Sequence, residues 1–261
     1  MANEILSERR GAAFIVTFNR PDQANALTSD MATQLFNLLK PVTTDHSVRT
    51  VLLKGAGGNF MDGIDMMLYA GDYNTALERA NQMFQPYHGA IRELLVMDKP
   101  VIAAVDGIAA GAGLSFMLAA DFVLAATDAK LNTKFTSFGA TPDGASSALL
   151  VRKAGANRAF ELLSLSENFS AAEGEKWNLV NRVVEGGKLQ EEALAWTERF
   201  ASGPTRAYAG VKKLVIKAFE QDTNTQIGLE HNYWGQSVKG FDFREAVRAH
   251  FAKRPAKFTG A

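Results

Sequence analysis

Apolar residues along this chain change period several times. Near the start, "NEILSERR" and "AAFIVTFNR" are short β-type runs, the second rich in Phe, Ile and Val. Residues 29–40 then place Met31, Leu35, Leu38 and Leu39 at helical spacing. "VRTVLLKG" reads as a buried strand, followed by the Gly-rich loop "GAGGNFMDGID", and a helical stretch is expected over about 74–97. "KPVIAAVDG" reads as an apolar strand, "AGAGLSFMLAAD" starts a helix from a second Gly-rich turn, and "FVLAAT" is the next strand. Strands alternating with helices predict parallel βαβ units, hence an α/β fold. Beyond Gly144 the pattern is almost wholly helical, with helices expected over about 188–201, 205–221 and 241–252. "SAAE", Ser170 to Glu173, has the form of a capping box. No stretch reads as a long linker and no sequence repeat is evident. The expected plan is a ββα core with a helical C-terminal third.

Composition narrows the class. With 261 residues, 47% hydrophobic and 21% charged, the chain is an ordinary globular protein of one large domain or one domain with an appendage. Lys plus Arg and Asp plus Glu balance at 28 each, so no overall field draws nucleic acid or an anionic membrane. The overall balance leaves room for a local basic patch near Arg248, Lys253, Arg254 and Lys257. The absence of Cys excludes disulfides, thiolate nucleophiles and zinc ribbons. No apolar run has the length of a membrane span, the N-terminal "MANEILSERRGAAF" lacks an apolar signal core, and "FTGA" is not a peroxisomal ending. A cytoplasmic location is therefore expected. "GAGGNF" has Phe60 where a dinucleotide fingerprint needs its third Gly, and neither a phosphate-binding loop nor a serine-hydrolase elbow is present. His46, His88, His231 and His250 are scattered without metal-ligand spacing, so no metal is expected.

Two Gly-rich turns remain, each leading from an apolar strand. A helix N-terminus carries unpaired amides and the positive end of a dipole. Two such turns brought together present two N–H groups to one oxygen, which is the arrangement of an oxyanion hole. Either turn alone is better explained as a tight strand-to-helix connection.

Taken together, the segments resemble the crotonase (enoyl-CoA hydratase/isomerase) superfamily nearly end to end. "NRPDQANALT", "GAGGNFMDGIDM", "KPVIAAVDGIAAGAGLSFMLAADFVLAATDAKL", "AAEGEKWNLVNRVV" and "FAKRPAKFTG" are similar, in order, to its spaced motifs. The resemblance implies a spiral of ββα units over residues 1–200, carrying acyl-CoA binding and catalysis. A helical region over 201–261 would then serve oligomerisation, as a homotrimer or a dimer of trimers, and cover the CoA pocket. It implies an acyl-CoA thioester as substrate, with coenzyme A entering as part of that substrate and no separate cofactor. By motif position, the oxyanion amides fall on Asp62 and Ala112. Ala24, Ala26, Gly63, Ile64, Asp65, Met66 and Gly111 would line the CoA and thioester, with Phe135 at the acyl end. Lys257 and Phe258 would reach the CoA of a neighbouring subunit.

The departures from the family carry the functional reading. Its hydratases use two Glu residues, and the matching positions here hold Ser115 and Phe135. Water addition needs one group to activate water and another to manage the α-proton, so two-Glu hydration is not expected. Asp143, in "FGATPDGASS", remains. Read locally, Pro-Asp-Gly is a surface turn. In family register it resembles the single acid of enoyl-CoA isomerases of fatty-acid and aromatic catabolism, where one base moves a proton from C2 to C4. Such a base needs its pKa raised, which an apolar pocket with Phe135 and Phe138 as walls would do. A rival resemblance is to 4-chlorobenzoyl-CoA dehalogenase, with Asp143 as nucleophile and His88 as general base, although that enzyme's Trp is replaced by Phe135. A third reading, of another class, is a crotonase homologue that binds acyl-CoA without catalysis. Asp62 raises its own question, since a carboxylate beside an enolate repels it. Either its side chain points away and only the N–H serves, or it pairs with a cation, or it is itself an acid. Asp65 reads as fixing its loop. Tyr69, Tyr73, Met66 and Met67 are candidates for shaping the acyl pocket.

Overall fold

The computed structural model describes residues 3–261, apart from the side chain of Tyr73. An antiparallel pair opens the chain, β1 (Ile5–Arg10) and β2 (Ala13–Phe18), turning through Gly11 at φ +58°. Next come α1 (Ser29–Thr44), β3 (Thr50–Gly55), β4 (Met61–Asp62) and α2 (Tyr73–Val96). β5 (Val101–Val105), β6 (Ile108–Ala110), α3 (Ala112–Ala119), β7 (Phe122–Ala126) and β8 (Lys130–Asn132) form the middle of the chain. α4 (Ser146–Ala154), α5 (Ala156–Leu165), β9 (Phe169–Ser170), α6 (Ala171–Lys176) and β10 (Arg182–Val184) follow. The C-terminal helices are α7 (Leu189–Ala201), α8 (Thr205–Lys217), α9 (Thr223–Lys239) and α10 (Phe241–Phe251).

Two sheets organise these elements. The larger has the order β1-β2-β3-β5-β7-β10, and every pairing after β1–β2 is parallel. The smaller has the order β4-β6-β8-β9. Three successive units, β3–β4–α2, β5–β6–α3 and β7–β8–α4, each give one strand to the large sheet, one to the small sheet, and then a helix. This is the ββα plan. It repeats in space although the sequence shows no repeat, because each unit fills its positions with different apolar residues.

Burial explains the choice of residues. β5, covered on both faces, is a continuous apolar run with every residue buried. α3 is buried over its whole length and is correspondingly apolar all round. Phe60, Phe18, Phe116 and Tyr87 form a chain of aromatic contacts, with successive ring centroids 5.2 Å, 5.7 Å and 5.5 Å apart. That cluster ties β2, the β3–β4 loop, α3 and α2 into one core below the site.

Several sequence expectations need adjustment. α1 does not stop at residue 40 but runs through Pro41 to Thr44. The buried Lys99 ammonium takes up carbonyls at its end, donating to Val42 O at 2.6 Å and Asp45 O at 2.8 Å. Its burial pushes the Lys99 pKa down to about 8. The "SAAE" capping box is present, with Ser170 N donating to Glu173 Oε2 at 2.8 Å and Glu173 N donating to Ser170 Oγ at 3.2 Å. α9 has no counterpart in the sequence reading. Its apolar residues Ile227 and Trp234 face outward and no residue of the helix is buried, so it lacks a buried apolar stripe. Among the described residues, no helix is long and apolar enough to cross a membrane.

Candidate active site

The site is built where the second strands of two ββα units end. β6 passes into α3 through Gly111, at φ +50°, and β4 is followed by Gly63, at φ +84°. A Cβ on Gly63 would lie 3.3 Å from Ala110 O, and one on Gly111 would lie 3.4 Å from the Gly63 Cα. The two turns therefore sit back to back. Gly113 completes the contact, since a Cβ there would fall 2.1 Å from Met61 O. Small residues at these places let two backbones meet, which is the physical content of the Gly-rich motifs.

The amides at this junction divide sharply. Asp62 N donates to Ala24 O at 3.0 Å, Asp65 N to Leu27 O at 2.9 Å, and Leu27 N to Gly63 O at 2.7 Å. Between them, the Ile64 amide has no hydrogen bond among the described residues, and neither does the Ala112 amide at the start of α3. The expectation for Asp62 is corrected accordingly: its amide is consumed by Ala24, and the free donor on this segment lies two residues further on. Motif counting missed this because strand β4, which spends the Asp62 amide, is only two residues long and leaves no periodic signal.

The Asp62 side chain is also accounted for. Its carboxylate pairs with Lys134 Nζ at 2.5 Å, so the negative charge that seemed misplaced beside an oxyanion is neutralised. Lys134 itself sits at φ +60°, with its amide donating to Asn132 Oδ1 at 2.6 Å. Asp65 fixes its loop, accepting from Met67 N at 3.0 Å and pairing with Arg20 at 3.0 Å. Ala24 and Asn25 both hold left-handed backbone. The fully buried Asn25 secures that bend, accepting from Arg20 N at 2.7 Å and donating to Ala56 O at 2.9 Å and Asn59 O at 2.6 Å. Arg20 and Asn25 escaped notice as individual residues although both lie in the quoted "NRPDQANAL" segment.

Asp143 occupies the loop between the 3-10 turn Thr136–Phe138 and α4. Its backbone is a turn, as the local sequence suggests: Ser146 N donates to Asp143 O at 3.0 Å across Gly144 and Ala145, both at positive φ. Its side chain is not turn chemistry. It points inward, and Tyr87 Oη donates to Asp143 Oδ1 at 3.1 Å. Burial raises the Asp143 pKa, partly countered by the Tyr87 hydrogen bond and by His88 nearby. Ser115, where a hydratase has its first Glu, is wholly buried beneath this loop, its hydroxyl 3.4 Å from Asp143 O. Phe135 is buried, whereas Phe138 is more than half exposed. His88 stacks on Phe84, with centroids 5.3 Å apart, and its Nε2 is buried without a hydrogen-bond partner among the described residues.

Other predicted residues lie at the rim or elsewhere. Met66, Met67 and Tyr69 are exposed on the 3-10 turn after Asp65, and the Tyr69 phenol is raised by burial and by the Asp143 charge. Phe258 lines a cavity of about 700 Å³ with residues such as Thr205, Tyr233 and Asp242. None of the lining residues comes from the segments 62–66, 111–115 or 135–143. The exposed Lys257 is tethered beside it, its amide donating to Glu245 Oε1 at 2.9 Å. Among the described residues, no cluster of three or more His, Asp or Glu side chains is placed to hold a metal.

A sequence model of the enoyl-CoA hydratase/isomerase family matches residues 8–261 of this chain. The chain belongs to that family. It is 34% identical to the 1,2-epoxyphenylacetyl-CoA isomerase of Escherichia coli K12, with both chains covered in full. It is 32% identical to a probable enoyl-CoA hydratase of Rhodobacter capsulatus, covering 94% of each. Among solved structures, an enoyl-CoA hydratase from Polaromonas sp. JS666 superposes with a TM-score of 0.92 at 30% identity, covering 97% of this chain and 99% of the other. Isomerase and hydratase names both occur among these relatives. The family resemblance and the mixed α/β crotonase architecture expected from the sequence are thus both met.

Proposed function

We propose that this family member is an acyl-CoA enzyme that shifts the double bond of a 3-enoyl-CoA to the 2-position, with Asp143 as its single acid/base. The observation that carries the reading is the inward carboxylate of Asp143, raised in pKa by burial, with Ser115 beside it and both hydratase Glu positions filled otherwise, by Ser115 and Phe135. In this scheme the Asp143 carboxylate takes a proton from C2 of the thioester. The charge moves onto the thioester oxygen, which accepts from the Ile64 and Ala112 amides. Asp143 then returns the proton at C4, the double bond settles between C2 and C3, and no atom is gained or lost. Burial suits the base, because a raised pKa makes the carboxylate a stronger acceptor of the carbon-bound proton. The free amides act as preorganised donors, and losing one such donor typically costs about 2.7–4 kcal/mol of barrier.

The substrate contacts proposed with it rest on the family resemblance. Ala24, Ala26 and residues 63–66 would run along the CoA portion, Gly111 would lie under the thioester and Phe135 beside the acyl group. Residues 201–261 would mediate a trimeric assembly and bring Lys257 and Phe258 to a neighbouring copy's CoA. A second reading rests on the unpaired Nε2 of His88 beside Asp143: carboxylate attack on an aroyl- or acyl-CoA, with His88 activating water. A substrate panel separates the alternatives. The wild-type protein is incubated with a 3-enoyl-CoA, a 2-enoyl-CoA and a halobenzoyl-CoA, and the products are identified by mass and ultraviolet spectrum. The proposal predicts conversion of the first to conjugated 2-enoyl-CoA. Halide release or hydrolysis supports the second reading, hydration of the second substrate overturns the single-acid scheme, and calorimetric binding without any turnover overturns catalysis altogether.

A further inference from the structure

Asp143 is held by one side chain from a different element. Tyr87, on α2, is fully buried, and its phenol donates to Asp143 Oδ1 at 3.1 Å. Among the described residues, Oδ2 takes part in no hydrogen bond. The phenol cannot drift. Its ring packs edge-on against Phe116, with centroids 5.5 Å apart, and lies tilted against His88 at 5.0 Å. Gly144 lies so close that a Cβ there would stand 2.0 Å from the Tyr87 hydroxyl and 2.8 Å from the Ser115 Cβ. The residue after Asp143 is thus a glycine both for its positive φ and because the phenol occupies its side-chain space.

We infer that Tyr87 is the positioning residue of the Asp143 base: by engaging Oδ1 it fixes the carboxylate plane and leaves Oδ2 as the oxygen that exchanges the proton with substrate. This rests on the reading of Asp143 as the acid/base. Burial of the phenol keeps it protonated, its own pKa lying well above the ordinary value, so it remains a donor across the working pH range. A donor to the charged carboxylate favours ionisation and opposes the effect of burial. Tyr87 therefore sets how far the base is raised as well as where it points. The other titratable groups facing Asp143 are His88, also on α2, and Tyr69 on the 3-10 turn. Both are left unchanged by a substitution at 87.

The test is Tyr87→Phe, which keeps the ring and removes only the hydroxyl. The pH profile of kcat/KM for 3-enoyl-CoA isomerisation is compared with wild type, beside a carboxyl-carbon nuclear magnetic resonance titration in which the Asp143 signal is identified by its loss in Asp143→Asn. The inference predicts that the acid limb and the Asp143 titration both move to higher pH by about one unit, a roughly tenfold loss of kcat/KM on the acid side, while KM stays near its wild-type value. An unmoved acid limb and titration, with any loss appearing only as lowered thermal stability, would overturn it. Should Asp143→Asn retain isomerase activity, the acid/base reading fails. The titration in Tyr87→Phe would still report whether the phenol controls the carboxylate.

Discussion

Asp143 shows how one residue serves two descriptions. Its carbonyl closes a turn with Ser146, which "PDG" announces locally, while its carboxyl faces a buried phenol 56 positions away in sequence. The inward direction could not be read from the loop. It depends on α2 running past it, and α2 has no motif marking Tyr87 as a partner. The same limit applies at Asp62, whose ion pair with Lys134 and spent amide both depend on pairings between short strands. The raised Asp143 pKa also has a stability consequence. Above the unfolded pKa the group is ionised when unfolded but disfavoured as an anion when folded, so it destabilises the native state at neutral pH; below that pKa the penalty disappears. Asp143→Asn, which can still accept from Tyr87, is therefore expected to raise the melting temperature at pH 7. The gain should vanish in acid below the ordinary Asp range near ~3.9, as followed by thermal unfolding at a series of pH values.

At the scale of elements, β2, β3, β5 and β7 of the large sheet were legible because each buries apolar residues, whereas β1 buries only Ile5 and β10 none. β5 is an unbroken apolar run lying within its expected segment, and α1 a spaced stripe that starts where expected but continues past residue 40 to Thr44. The small sheet was not legible, since its strands are two or three residues long and carry no period. It nevertheless builds the site by aligning β4 with β6, so that Gly63 and Gly111 meet. Gly113 is the most demanding point of that junction. Gly113→Ala places a Cβ against Met61 O and is expected to cost about 1–3 kcal/mol, measured by denaturant unfolding. It should lower activity further by parting α3 from β4. Lys99→Met tests a different joint. It strips the Val42 and Asp45 carbonyls of their shared donor and is expected to cost about 1–3 kcal/mol without altering substrate turnover.

For the whole molecule, the outer faces of the C-terminal helices carry large apolar side chains that a single chain leaves uncovered. Ile227, Trp234 and Phe251 are each more than half exposed. Under the proposed assembly, this surface would be the interaction face. Sedimentation equilibrium is expected to return a mass three or six times the 28.3 kDa chain, and a monomer at assay concentrations would remove any role for Lys257 and Phe258 at a neighbour's CoA. The central claim, however, concerns one carboxylate. It is tested most directly by the rate at which Asp143→Asn converts saturating 3-enoyl-CoA to the conjugated 2-enoyl thioester, with binding confirmed by calorimetry. The account predicts a loss of roughly 10²–10⁴-fold in kcat with substrate still bound, and an Asn variant that isomerises at the wild-type rate would contradict it.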